Sequence, residues 1–124
     1  MEKPGTFYTR DTANQLLDEV RERLVRLRQA YAEIAEHRAS MASAAAGNGG
    51  DAGASLWRAS SRTAADELSW FMDRDIVVRD VEQGLIDFPG RREGREIYLC
   101  WRLGEEAVDF WHDKDTGFPG RQPL

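Results

Sequence analysis

Glu105, Glu106, Asp109, His112, Asp113 and Asp115 fall within eleven consecutive positions, a dense group of carboxylates around one imidazole. Imidazole titrates near neutrality and a carboxylate can orient it, so His112 with Glu105 or Asp115 has the makings of a general acid–base pair. The same three side chains, Glu105, His112 and Asp115, offer the nitrogen and oxygen donors a divalent metal accepts, provided that they converge and an outer acceptor fixes the imidazole tautomer. Against both readings stands the absence of a repeated ligand spacing or a nucleophile at a diagnostic interval. A plainer role for His112 is to close a buried apolar face beside Val108 and Phe110, bonded to a carboxylate or carbonyl. Asp113-Lys114-Asp115-Thr116-Gly117 resembles the start of a calcium loop but fails on spacing: its Gly comes at the fifth position and Leu124 stands where the closing Glu belongs. No cofactor is expected, a divalent metal being the one candidate.

The elements that carry these residues read as strands. Ile76-Val77-Val78, Leu85-Ile86-Asp87-Phe88, Ile97-Tyr98-Leu99-Cys100-Trp101 and Val108-Asp109-Phe110-Trp111 are β-branched or aromatic runs separated by Gly84, Pro89-Gly90 and Gly104. Alternation puts Ile97, Leu99 and Trp101 on one face and Tyr98, Cys100 and Arg102 on the other. Continued along the chain, it assigns Val108, Phe110 and His112 to the apolar face and Asp109 and Trp111 to the polar one. Asp87, Tyr98, Arg102 and Trp111 then form a candidate ligand or interaction surface, since aromatic bodies with a few convergent charges suit a groove or an interface. The rival is a half-exposed sheet laced with ion pairs. Phe118 and Pro119 should pack the tail down and deliver Arg121 to that surface, with Asp87 or Glu105 as its mate. Cys100 reads as a small buried hydrophobe, and Arg91, Arg92 and Arg95 as a solvated hairpin tip.

Such a sheet needs cover on one side. Leu17, Val20, Leu24, Leu27, Tyr31 and Ile34 recur at intervals of three and four, which predicts a helix over 9–46 with Thr9 as N-cap. Residues 47–54 read as a flexible Gly/Ala linker and 55–74 as a second helix striped by Trp57, Ser61, Ala64, Leu68 and Phe71. Trp70 stands off that stripe, which suggests contact with another chain. The expected architecture is α+β: an antiparallel helical hairpin packed on an antiparallel β-meander of three to four strands over 76–112, closed by a packed tail over 113–124.

Composition bounds the rest. With 124 residues, 41% hydrophobic and 31% charged, the chain suits one domain that needs no staples. A formal charge of −5 and a pI near 5.1 oppose nucleic-acid and anionic-membrane binding, which require a surplus of Lys and Arg. The single cysteine and the lack of a signal-peptide layout lead to a cytoplasmic expectation. A small ligand or protein partner and a homodimer are expected. The main reading is a non-enzymatic binding domain, and the alternative a small metal-dependent or acid–base enzyme centred on His112, Glu105 and Asp115.

Several motifs are familiar together. Gly84-Leu85-Ile86-Asp87-Phe88-Pro89, the run Gly94 to Glu105, Phe110-Trp111-His112, Asp115-Thr116-Gly117-Phe118 and Gly120-Arg121-Gln122-Pro123-Leu124 resemble the bacterial family called domain of unknown function 2203. Tyr8-Thr9 and Ala13-Asn14-Gln15-Leu16-Leu17 resemble its opening. The resemblance implies two helices before this tail and carries no activity. Similar sequences often place Gly before the first strand; here Asp75 stands there, at some conformational cost.

Overall fold

Thr9 opens the helical half through a reciprocal cap: its hydroxyl accepts the Thr12 N–H at 3.1 Å, and the Thr12 hydroxyl accepts the Thr9 N–H at 2.8 Å. A threonine thus closes the box where Glu or Gln is usual. The computed structural model describes residues 5–43 and 51–124. Helix α1 spans Arg10–Gln15 and α2 Leu17–Ser43. They differ from the single helix expected only at Leu16, whose N–H reaches back three residues to Ala13 O rather than four. Leu17, Val20, Leu24 and Leu27 are buried as their spacing predicts, but Ala30, not Tyr31, continues the buried stripe. At that level α2 meets α3, where Ser60 and Ala64 are also buried and small.

Helix α3 spans Asp51–Asp73. It therefore includes residues 51–54, which the sequence assigns to the linker; one Gly inside a helix costs only about 1 kcal/mol relative to Ala, and Ala-rich neighbours offset it. The Gly47–Gly50 part of that linker and the expected end of the first helix, 44–46, lie outside the described residues. The hairpin is antiparallel: Arg23 and Arg26 both hold the buried Glu67, at 3.3 and 3.1 Å, and Ser60 donates to Glu33 at 2.5 Å. Trp70 is not free to meet another chain. Its ring is 7% exposed, lies edge-on to Phe71, and carries the guanidiniums of Arg23 and Arg74 on its faces at 5.0 and 4.2 Å.

The hairpin stops where Asp75 takes a left-handed conformation, φ 60°, with Ile76 N–H on Phe71 O and Asp75 N–H on Met72 O. This is the double-bonded helix end that Gly usually supplies. Strands β1 (Val77–Asp80), β2 (Leu85–Arg92), β3 (Arg95–Arg102), β4 (Phe110–Asp113) and β5 (Gln122–Pro123) follow as one antiparallel sheet in that order. The fold class is the α+β one expected, with one strand more, because the tail adds a short pairing to the free edge of β4. Pro89 is tolerated inside β2 because β1 pairs only as far as Asp87, and the Pro89 carbonyl takes the Tyr8 N–H instead, at 2.7 Å. Gly84 turns β1 into β2 at φ 66°, where a Cβ would meet Leu103 at 2.5 Å. One sheet face, with Ile86, Phe88, Ile97, Leu99 and Trp101, packs with Ala13, Leu17, Val20 and Leu24 of the helices into a single core.

Candidate functional site

The other sheet face carries the chemistry. Asp87 pairs across with Cys100, and Tyr98 with His112, so four side chains on three neighbouring strands share this side. Asp87, Cys100 and His112 are only 1–2% exposed. His112 Nδ1 lies 2.7 Å from the Asp113 carbonyl, and Nε2 lies 2.9 Å from Asp87 Oδ1. A carbonyl only accepts, so Nδ1 carries a hydrogen. With that site taken, the Nε2–Oδ1 contact joins two lone pairs unless a proton lies between them, so the buried pair holds one. The other Asp87 oxygen accepts from Arg79 Nε at 2.8 Å, and the Arg79 guanidinium lies over the Tyr98 ring at 5.0 Å.

Above this trio the tail folds down. The Arg121 guanidinium is held between Phe110 and Phe118, 4.0 and 4.4 Å from their ring centres, and makes a two-pronged pair with Glu105 at 3.0 and 2.5 Å. Glu105 also accepts the Arg102 N–H at 2.7 Å. Burial works to raise the Glu105 pKa, but the bonds from Arg121 and the Arg102 backbone outweigh it and hold the carboxyl below its usual range. A carboxyl depressed by folding contributes stability above its unfolded pKa of about 4.3 and forfeits it as pH falls through the folded value. Glu105→Gln is therefore expected to cost about 1.5–3 kcal/mol at pH 7. The gap should close in acid as the parent loses the same charge, which urea midpoints at neutral and acidic pH will read.

The Cys100 thiol has the Asp87 carboxyl and the Arg121 guanidinium as its charged neighbours. Burial chiefly, with the Asp87 charge, pushes its thiol up to about 11, against the pull of Arg121. At neutral pH it is a thiol and not a nucleophile. A cleft of about 320 Å³ opens beside the trio, lined among others by Arg79, Asp87, His112, Lys114, Asp115 and Thr116.

Asp87, Tyr98 and Arg102 of the expected surface do share a face, and Arg121 reaches it from the tail by its bond to Glu105. Trp111 does not. It pairs with Leu99 on the helix-covered side, is 5% exposed, and bears the Arg92 guanidinium at 4.6 Å. His112 and Phe110 exchange places with it and sit on the polar face. The cause is local: Val108 lies outside β4, clamped by the Asn14 side chain, which accepts from its N–H at 2.7 Å and donates to its carbonyl at 3.4 Å. Alternation therefore restarts at Phe110 and cannot be counted through from Val108. The trio Glu105, His112 and Asp115 does not converge either. Glu105 is committed to Arg121, and Asp115 lines the cleft with His112. Among the described residues, the metal-type side chains whose ligand atoms gather are Asp87, Cys100 and His112. Arg79 and Cys100 are the members that sequence reasoning missed. Cys100 had a signal, its parity with Tyr98 and Arg102 on the face of Asp87, whereas Arg79 had none.

Among the described residues no helix is long and apolar enough to cross a membrane. No curated protein and no solved structure matches the chain. The family described as "Uncharacterized conserved protein (DUF2203)" matches residues 6–124, a span that takes in the helical hairpin, the sheet and the Arg121 tail, and the chain belongs to that family.

Proposed function

We propose that this chain is a ligand-binding domain that takes a small phosphate- or carboxylate-bearing molecule into the cleft on the polar sheet face. The observation that carries the reading is Arg79: a guanidinium lining an open cleft and already held in place by the buried Asp87 and the Tyr98 ring. A cation fixed before binding loses little freedom when an anion arrives. Lys114 stands at the same cleft, supported by Glu96 at 2.6 Å, and Thr116 adds a hydroxyl. Counting the proton held by His112 and Asp87, positive groups outnumber the carboxylates of Asp87 and Asp115 on its walls. A polar, partly pre-arranged concavity of this size suits a small ligand better than a protein surface.

Calorimetric titration of the full chain with inorganic phosphate and, separately, with succinate tests the reading and distinguishes the two anion sources. Saturable binding of at least one probe is expected, weakened roughly 10–100-fold in Arg79→Gln, since a hydrogen bond to a charge contributes about 1.5–3 kcal/mol. Lys114→Gln, at an exposed position, gives a second variant whose fold is not at risk. No saturable heat from either anion, or full affinity in both variants, would overturn the proposal.

A further inference from the structure

We infer that Asp87, Cys100 and His112 form a mononuclear transition-metal site suited to zinc(II), with its fourth position open to the cleft. The inference goes beyond the anion reading and stands without it.

The ligand atoms of the three residues all lie within 4.8 Å of one another. Donors around one tetrahedral zinc, with bonds of about 2.0–2.3 Å, are separated by about 3.3–3.8 Å, so small side-chain rotations close the site. The donors come from β2, β3 and β4, three adjacent hydrogen-bonded strands, so the sheet itself sets their spacing and no loop has to be ordered. The chemistry of the set selects the ion. Thiolate, imidazole and carboxylate together suit a borderline-soft cation, whereas calcium and magnesium want oxygen ligands throughout.

The outer contacts are those of a metal centre as well. His112 Nδ1–H is anchored on the Asp113 carbonyl, which fixes the tautomer that aims the Nε2 lone pair inward. Arg79 occupies one Asp87 oxygen and leaves Oδ1 as a single-point ligand. The Arg121 guanidinium stacks on Phe110, the strand partner of Cys100, which brings a positive charge to the sulfur's side of the sheet, where it favours a thiolate. Asp87 and His112 line the cleft while Cys100 does not, so the position left open on the ion faces solvent, as in three-ligand catalytic zinc sites.

The exchange balances. Zinc(II) enters and forms bonds to Sγ, Nε2 and Oδ1; the thiol proton and the proton held between His112 and Asp87 leave to solvent. Two positive charges replace two, so the neighbouring guanidiniums meet no added charge, and Arg121 is already neutralised by Glu105.

Cobalt(II) is the probe, added to metal-stripped full-chain protein in a buffer free of phosphate and carboxylates, so that the outcome does not depend on anion binding. One equivalent is expected to bind, with a thiolate-to-cobalt charge-transfer band and tetrahedral visible bands, release of about two protons per metal in weak buffer, and displacement by zinc(II). Outer-contact losses alone cost about 10–100-fold in affinity, so loss of a ligand in Cys100→Ala should cost about 100-fold or more and abolish the band. His112→Gln should do the same, with near-ultraviolet circular dichroism confirming that each variant is folded. No band in the parent, or parent-like cobalt affinity in folded Cys100→Ala, would overturn the site. Phosphate or succinate binding to metal-free protein would then still be read separately.

Discussion

Replacing Asp87 by Ala is expected to destabilise the protein by about 3–5 kcal/mol, the cost of stranding a buried charge whose partner is removed. Few single side chains here answer to so much. One carboxylate, itself 2% exposed, satisfies His112 Nε2 through Oδ1 and Arg79 through Oδ2. Without it, the imidazole is left with the Asp113 carbonyl and the neighbouring Tyr98 ring, and the Arg79 guanidinium with that same ring. A loss of this size is a large share of the total of about 5–15 kcal/mol that holds most domains, and should lower the melting temperature by roughly 10–20 °C. Asp87→Asn keeps the shape and one acceptor, so a smaller loss is expected. Urea unfolding of Asp87→Ala, His112→Ala and the double variant checks the account through the coupling energy. Strictly additive losses would mean that the two residues do not act as a pair.

Trp111→Ala is expected to cost a further large amount, about 3–5 kcal/mol, as for other buried aromatic residues cut back to a methyl. Its indole packs on the helix-covered side beside Leu99 and under Arg92, so truncation opens a cavity in the main core. The anion affinity of the cleft, on the opposite side of the sheet, should be unchanged. Denaturation together with phosphate or succinate titration separates the two outcomes. Lost binding with preserved stability would restore Trp111 to the ligand face and refute the strand register described above.

The helical hairpin was legible where burial follows periodicity; of the stripe expected on the second helix Ala64 and Phe71 are buried, while Trp57 is exposed and Ser60 is buried in place of Ser61. Leu17 to Leu27 obey the period; Tyr31 departs because α2 there meets α3 through Ala30 and small partners. The paired runs of β2 and β3 were legible for the same reason, and so was the shared side of Asp87, Tyr98 and Arg102. What failed was phase across an irregular stretch. Alternation is a property of continuous extended backbone, and the clamp of Asn14 on Val108 interrupts it just before β4. That single break moved His112 from the oily side to the charged one and sent Trp111 the other way. Long-range polar pairings were illegible for another reason: Arg79 meets Asp87 across the pairing of β1 with β2, which no local pattern encodes. The tail was half legible. Phe118 and the rigid Pro119 marked it as packed, and of the two carboxylates weighed for Arg121 the structure chooses Glu105.

Asp75 does two things at one position, and they pull in opposite directions. Its left-handed backbone is uncomfortable for any residue with a Cβ, by about 1–2 kcal/mol, yet its carboxylate accepts the Thr6 N–H at 2.8 Å and so ties the segment before α1 to the junction of helix and sheet. A glycine there would relax the bend and cut the tether at once. Chains of this kind can therefore exchange ease of turning for a cross-brace at that corner with little net change in stability, leaving evolution free to drift between the two.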